Sequence, residues 1–600
     1  MLPQSKSSEG ASPVGEISTQ GPVVALGADG GDALQLSIQQ SKRRWQVLAV
    51  LCVGLFMLLL DGTIVNIAIP SILKGFQTGF SQVEWVLNAY LLVFAVMLIT
   101  MGRLGDLYGR KRLFIAGVSL FTLSSLACGL SPGIGFLIGF RALQGLGGAM
   151  MMPATLSLIA YVFPPKERGI AMGIWGGVSG LATAAGPTLG GLIVDATSWH
   201  YIFLINVPIG LAVFFFALRI IPDSRDLTTK QKVDFPGVAV LSVALFALTF
   251  ALIEGQKYGW GSATILALFA IAAVGILAFV FVERKVRYPL MQLSLFRSRT
   301  FSAANVSGMI LSFGMMGMFF LLPVFFQAIL GYSAIKTGLV MTPMSAAVVI
   351  AAPLSGWLSD RIGSRWLIFS GMLITALGFF LMRGQMSLDT RWTSLVFPFV
   401  VSGFGIGLVM APMTSAVMST APQEKAGAAS GILSTMRQLG SVMGIAVMGA
   451  VLQNRAVAYV EASVAGKLAG VPFVPDAAKQ QIIHAVGSSV TNMGDMAYGG
   501  GGAPQTPAAI KDLLAQVPAN MVQQVTDFFK DLFSRATIMG EYVHAMRTTF
   551  VVAIAVLAVG SLVALLVRNH VAKKAAAPSS ERDLLQEDGE ESRTKPDGMV

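Results

Sequence analysis

Long apolar runs separated by short polar breaks set the pattern of this chain. Runs that can cross ~30 Å of hydrocarbon cover 46–69, 83–101, 113–130, 134–160, 169–193, 200–221, 235–254, 262–283, 302–326, 337–358, 365–383, 394–416, 427–452 and 547–568. This periodicity predicts an all-α polytopic membrane protein of about fourteen transmembrane helices. The first forty or so residues are rich in Ser, Gly and Gln, and the stretch from Lys573 is equally polar. Both read as disordered tails. Segment 454–546 is far longer than any other break, and its apolar positions Ile510, Leu513, Leu514, Val517, Met521, Val525, Phe528, Phe529 and Leu532 recur near helical spacing. It predicts an amphipathic helical pair on the outer side of the membrane.

Composition sharpens this picture. Hydrophobic residues make up 54% of the chain and charged residues 12%, too little polar surface for a soluble protein of this length. The formal charge of +11 belongs to loops rather than to a nucleic-acid face. Eighteen Lys and Arg of the short loops fall on one side and five on the other, which places the first side and both termini in the cytoplasm. Cys52, Cys128 and four scattered histidines have no metal-ligand or disulfide spacing.

The chain also repeats itself. "GLGGAMMMPATLSLIA" from Gly145 resembles "GFGIGLVMAPMTSAVM" from Gly403, and at the same offset Gly169, Gly173 and Gly186 match Gly427, Gly431 and Gly444. "GRLGDLYGRKR" from Gly102 resembles "GWLSDRIGSR" from Gly356. The unit is six helices, with a surplus pair at roughly 235–283. The expected organisation is a tail (1–44), a six-helix bundle (45–222), a linker with two extra spans (223–300), a second bundle (301–568) and a tail (569–600). Two such halves are a transporter architecture with substrate bound near the midplane.

Within the spans, charge is the informative signal. Asp61 in "LFMLLLDGTIVNIAIP" costs about 2.5–3.5 kcal/mol at a bilayer centre on insertion scales, so a proton- or cation-binding role outweighs a purely structural one. Asn66 follows it at about 140° around the helix, so the two can border a wide cavity but not one narrow face. Arg141 and Gln144 share one face of the fourth span. Burial and a nearby cation push a carboxylate's proton affinity in opposite directions, so a buried Asp within reach of an Arg is a device that conformation can reset. Arg437 is a further intramembrane charge without an assigned role, and Glu84 and Glu254 fall at outer span ends where solvation accounts for them. Asp106 and Arg110 form an i,i+4 pair if their turn is helical.

These stretches together resemble the major facilitator superfamily, and within it the fourteen-span drug:proton antiporter family of multidrug exporters. "LDGTIVNIAIP" resembles that family's first-helix motif at Asp61, Thr63, Asn66 and Pro70. "GIWGGVSGLATAAGPTLGG", with Gly177, Gly186, Pro187, Gly190 and Gly191, resembles its antiporter motif, with Ala182 where glycine is usual. The resemblance implies that Arg141 takes part in proton transfer. It also implies that Gly102, Asp106, Gly109 and Arg110, with Asp360 and Arg361 in the second copy, form a latch between the halves. Leu107 replaces an arginine of that latch. "WHYIFLINVPIG" resembles a further signature, with His200 where arginine is common.

The expected function is export of hydrophobic or cationic drugs across the plasma membrane by alternating access. Its only coupling ion would be the proton, and it would work as a functional monomer, with no enzymatic chemistry and no nucleic-acid partner. The alternatives are export of lipids or an endogenous hydrophobic metabolite and, further off, a non-transporting sensor.

Overall fold

The computed structural model describes residues 30–78, 80–223, 234–286, 289–291, 293–422, 425–469, 479–484 and 535–568. The amphipathic pair expected around 510–532 lies outside them, as do both chain ends. The chain divides into two units, of which Met1–Gln46 contributes the first turns of α1 and Val47–Val600 holds the rest.

The helices are α1 (Gly30–Phe76), α2 (Phe80–Tyr108), α3 (Arg110–Gly129), α4 (Ile134–Val162), α5 (Pro165–Ala196), the broken sixth span α6 (Tyr201–Leu204) and α7 (Asn206–Ile220), α8 (Phe235–Tyr258) and α9 (Ala263–Lys285). They continue as α10 (Arg299–Pro323), α11 (Ala334–Ile362), α12 (Ser364–Gln385), α13 (Trp392–Thr420), α14 (Ala426–Ala469) and, last, α15 (Arg535–Ala564). Among the described residues, 13 spans are long and apolar enough to cross a membrane, and α5, bent by 40° between Thr183 and Thr188, brings the number to 14.

Three helices differ from expectation. Helix α1 begins at Gly30, inside the segment 1–44 expected to be disordered. After Gly31 no Gly or Pro occurs before Gly54, so nothing stops the helix of the first span from propagating backward. Helix α14 runs on to Ala469, and α15 already starts at Arg535. Hydropathy stops at 452 because Arg455, Glu461 and Lys467 appear, but the helical face Ala456, Val460, Val464 and Leu468 continues and is buried. With 44 residues, α14 is about 66 Å long, roughly twice the hydrocarbon thickness. Its extension is tied to α15 by Lys467 Nζ donating to Thr537 Oγ1 at 2.9 Å and by the Tyr459–Thr548 hydroxyl pair at 3.1 Å.

Within the first half α4 packs against α2 and α3, and within the second α13 packs against α12 and α10 against α14. The halves meet along two seams, α5 with α11 and α2 with α14. The extra hairpin α8–α9 leans on α2 and α14 through α8. Only 17% of the most apolar window of α9 is buried, against 78% for α4, so α9 presents its surface to lipid while α4 is core.

The repeat reappears as matched geometry. Gly102 of α2 lies on the Gly427 carbonyl of α14, and its copy Gly356 of α11 lies on the Gly169 carbonyl of α5. Gly431 sits against the Leu98 carbonyl as Gly173 sits against that of Ala352. Gly109 (φ 100°) and Gly363 (φ 84°) end one helix and open the next in the left-handed region, where a side chain would be strained. At the Lys/Arg-rich end both seams therefore close backbone to backbone.

Candidate functional site

Asp61 sits on α1 in the interior of the first half, where neither carboxylate oxygen reaches solvent. Oδ2 accepts from Arg141 Nη1 at 2.6 Å. Oδ1 accepts from Gln144 Nε2 at 2.9 Å and from Asn206 Nδ2 at 2.8 Å. The i,i+3 spacing on α4 lets Arg141 Nη1 also donate to Gln144 Oε1 at 2.7 Å, while Arg141 Nε donates to the Val86 carbonyl of α2 at 3.1 Å. The guanidinium lies 4.2 Å from the centroid of the Tyr90 ring. Asp61, Arg141, Gln144 and Asn206 are all fully buried. A buried ion pair holds only when its remaining polar groups are satisfied, and here α1, α2, α4 and α7 together supply that.

The structure thus brings Asp61, Arg141 and Gln144 together. It leaves Asn66 out: one residue more than a turn away on α1, Asn66 is exposed and forms no hydrogen bond among the described residues. A further polar partner of Asp61 is Asn206, at the start of α7, which also donates to Ser125 Oγ at 3.1 Å. Its signal stood in "LINVPIG", a lone amide at the start of an apolar span. In this conformation the carboxylate is buried and both oxygens are taken by protein donors, so Asp61 is closed to a cationic substrate.

At the Lys/Arg-rich end, Asp106 accepts the backbone N–H of Gly427 and of Ala428, each at 2.8 Å. A carboxylate on α2 thereby caps the N-terminus of α14, satisfying free amides and meeting the positive end of the helix dipole. Arg110 donates to the same carboxylate at 3.2 Å and lies over the Tyr161 ring. In the second copy, Arg361 is exposed and stacks on Trp357 at 3.9 Å; the side chain of Asp360 lies outside the described residues, as does that of Pro187.

The glycines of α5 divide between two neighbours. Gly173, Gly177, Gly180 and Gly191 face α11, at Ala352, Val349, Val348 and Ile335. Gly186 and Gly190 face α1 at Thr63 and Ile64, within one turn of Asp61. Ala182, in place of a glycine, is buried without disturbing this packing.

Two end residues differ in setting. Glu254, expected in solvent, is 2% exposed, because the tight α8–α9 turn folds the Trp260 ring back onto Gly255 beside it; its Oε2 lies 3.9 Å from Lys257 Nζ. His200 stacks on the Trp199 ring at 3.7 Å, and burial holds its imidazole below the ordinary histidine value.

The profile of the Major Facilitator Superfamily matches residues 51–445. Multidrug resistance protein Stp of Mycobacterium tuberculosis is 40% identical over 68% of this chain and 76% of its own length. The tetracenomycin C resistance and export protein of Streptomyces glaucescens is 37% identical over 69% and 77%, and the multidrug transporter protein MdtP of Bacillus subtilis 36% over 70% and 76%. In fold, the crystal structure of the human organic anion transporter MFSD10 matches with a TM-score of 0.52 at 14% identity, covering 76% of this chain and 98% of that one. A buried ion pair inside one of two repeated six-helix halves, joined by matched glycine seams, is therefore a transporter's interior rather than an enzyme's pocket, and the chain belongs to the major facilitator superfamily, in the family of multidrug exporters that these relatives represent.

Proposed function

We propose that the chain is a proton-coupled antiporter that exports hydrophobic small molecules by alternating access. The Lys/Arg-rich loops and both termini face the cytoplasm. The observation that carries this reading is the sealed Asp61–Arg141 pair at 2.6 Å. An acid this deep needs a counter-charge, and arginine cannot lose its proton to supply neutrality another way. If α1 moves against α4, the carboxylate loses Arg141 and becomes neutral by taking a proton. When the helices return, the pair reforms and the proton leaves. Asp61 is in this account a proton carrier, and the drug binds elsewhere between the halves.

Coupling runs through α5. One side of this helix packs on α11 of the second half, and the other touches α1 at Thr63 and Ile64. Rocking the halves along the α5–α11 seam shifts α5, and with it the turn of α1 that carries Asp61. The Asp106 cap on α14 favours the conformation closed at the cytoplasmic end, in which the outer side would be the open one.

The test is transport into proteoliposomes holding the purified full chain, with an imposed proton gradient and the fluorescent substrate ethidium. Accumulation that follows the gradient and collapses with a protonophore is the expected result. Accumulation indifferent to the gradient would overturn the coupling, and no flux of ethidium or of neutral and anionic dyes would overturn export.

A further inference from the structure

Arg437 is a charge that the proton-carrying cluster does not use. It lies on α14, ten residues past Gly427, hence about 15 Å in from the cytoplasmic end of that helix and near the middle of a ~30 Å hydrocarbon layer. A Cβ on Gly308 of α10 would lie 3.4 Å from Arg437 Cγ and 2.8 Å from Met413 Sδ of α13. The guanidinium carbon lies 5.7 Å from the Trp175 ring centroid of α5. Arg437 is thus enclosed by three helices of the second half and one of the first, not by lipid. It is nevertheless only partly buried, and its guanidinium end faces Trp175 of the other half.

Among the described residues its side chain forms no hydrogen bond and no ion pair. Ser434 Oγ, one turn earlier on the same face of α14, and Asn305 Oδ1, one turn before Gly308 on α10, are buried and equally without partners. Arg141 has Asp61; among the described residues Arg437 has a ring and no acid. An unpaired cation at this depth is costly, and intramembrane charges of this kind mark ligand pathways. Its geometry suits a planar two-oxygen acceptor.

We propose that Arg437 is the substrate-selecting residue of the space between the halves, and that the exported compounds include amphiphilic aromatic acids whose carboxylate or phenolate pairs with it. Ser434 supplies a second donor, and Trp175 backs the guanidinium and fixes its orientation. The inference rests on the exporter reading but concerns binding alone, so the two fail separately. It also turns the expected charge preference around: the acid of this interior is sealed, and the charge displayed to a substrate is positive. An anion leaving the cell moves with an interior-negative potential rather than against it.

The probes are 9-anthracenecarboxylate, its neutral carboxamide and the cationic 9-aminomethylanthracene, one ring with three charges. Binding to the purified full chain is read without any gradient, by energy transfer from tryptophan. Wild type is expected to bind the carboxylate about tenfold tighter than the amine. Arg437→Gln loses that preference while the carboxamide binds unchanged, and Arg437→Lys keeps part of it. No preference in wild type, or one that survives Arg437→Gln, overturns the proposal. Should Arg437→Gln not fold, the wild-type charge series and Arg437→Lys decide: a lysine variant with unchanged affinities for all three probes speaks against recognition by the guanidinium fork. Carboxylate binding without gradient-driven flux would sink the exporter reading and leave this site standing.

Discussion

Asn206 Nδ2 donates to Asp61 Oδ1 at 2.8 Å across 145 residues of chain, so the start of the sixth span is part of the acid's first contacts. Removing that donor leaves Oδ1 with Gln144 alone. A buried acceptor that loses a partner costs about 1–3 kcal/mol. Asn206→Ala is therefore expected to slow gradient-driven transport about tenfold, the equivalent of about 1.4 kcal/mol. Asn66→Ala, at an exposed position on the same helix as Asp61, leaves it unchanged. Initial rates in proteoliposomes check both.

The Asp106 cap on Gly427 and Ala428 predicts a conformational effect. Losing an N-cap costs about 0.5–2 kcal/mol, so Asp106→Ala raises the population with a separated α2–α14 seam about two- to thirtyfold. Spin-label distances between the cytoplasmic ends of these two helices measure it, and an unchanged distribution would show that the cap does not hold the seam.

The second seam makes a paired prediction. At Gly356 an added Cβ meets the Gly169 carbonyl, whereas at Gly176, also on α5, the nearest atom is Met410 Cβ at 3.5 Å. Overpacking costs about 1–3 kcal/mol. Gly356→Ala is expected to lower the thermal midpoint and transport together, and Gly176→Ala to leave both near wild type.

The ring stack of His200 on Trp199 gives a pH signature. Burial lowers its proton affinity in the folded chain, so the unfolded chain binds more protons near the ordinary value of about 6.5. The stability contribution is full above that pH and is lost as pH falls through it toward the folded value. Thermal denaturation of detergent-solubilised protein is expected to show a small drop from about pH 7 to 5, absent in His200→Asn.

Much of the architecture was legible because it depends on local signals. Span length, the six-helix period and the glycine spacing are all written in runs of neighbours, and the paired seams at Gly102–Gly427 and Gly356–Gly169 follow the register of the repeat. Gln144 was legible for the same reason, being one helical turn from Arg141. Asn206 was not, since its role depends on how α7 packs against α1. Asn66 is turned away from Asp61, as the angle of about 140° between them around the helix already required. The ends of α14 and α15 were misplaced because hydropathy reports where lipid stops, and a helix continues as long as its buried face does. Glu254 was read from its position at a span end, whereas its burial depends on the fold of the α8–α9 turn.

In the proposed cycle Asp61 carries the proton and does not hold the drug. The most direct measurement compares wild type and Asp61→Asn in proteoliposomes, under an imposed proton gradient and in substrate exchange without one. Asp61→Asn is expected to lose gradient-driven accumulation while exchange of the same substrate continues. Gradient-driven accumulation at the wild-type level in that variant would contradict it.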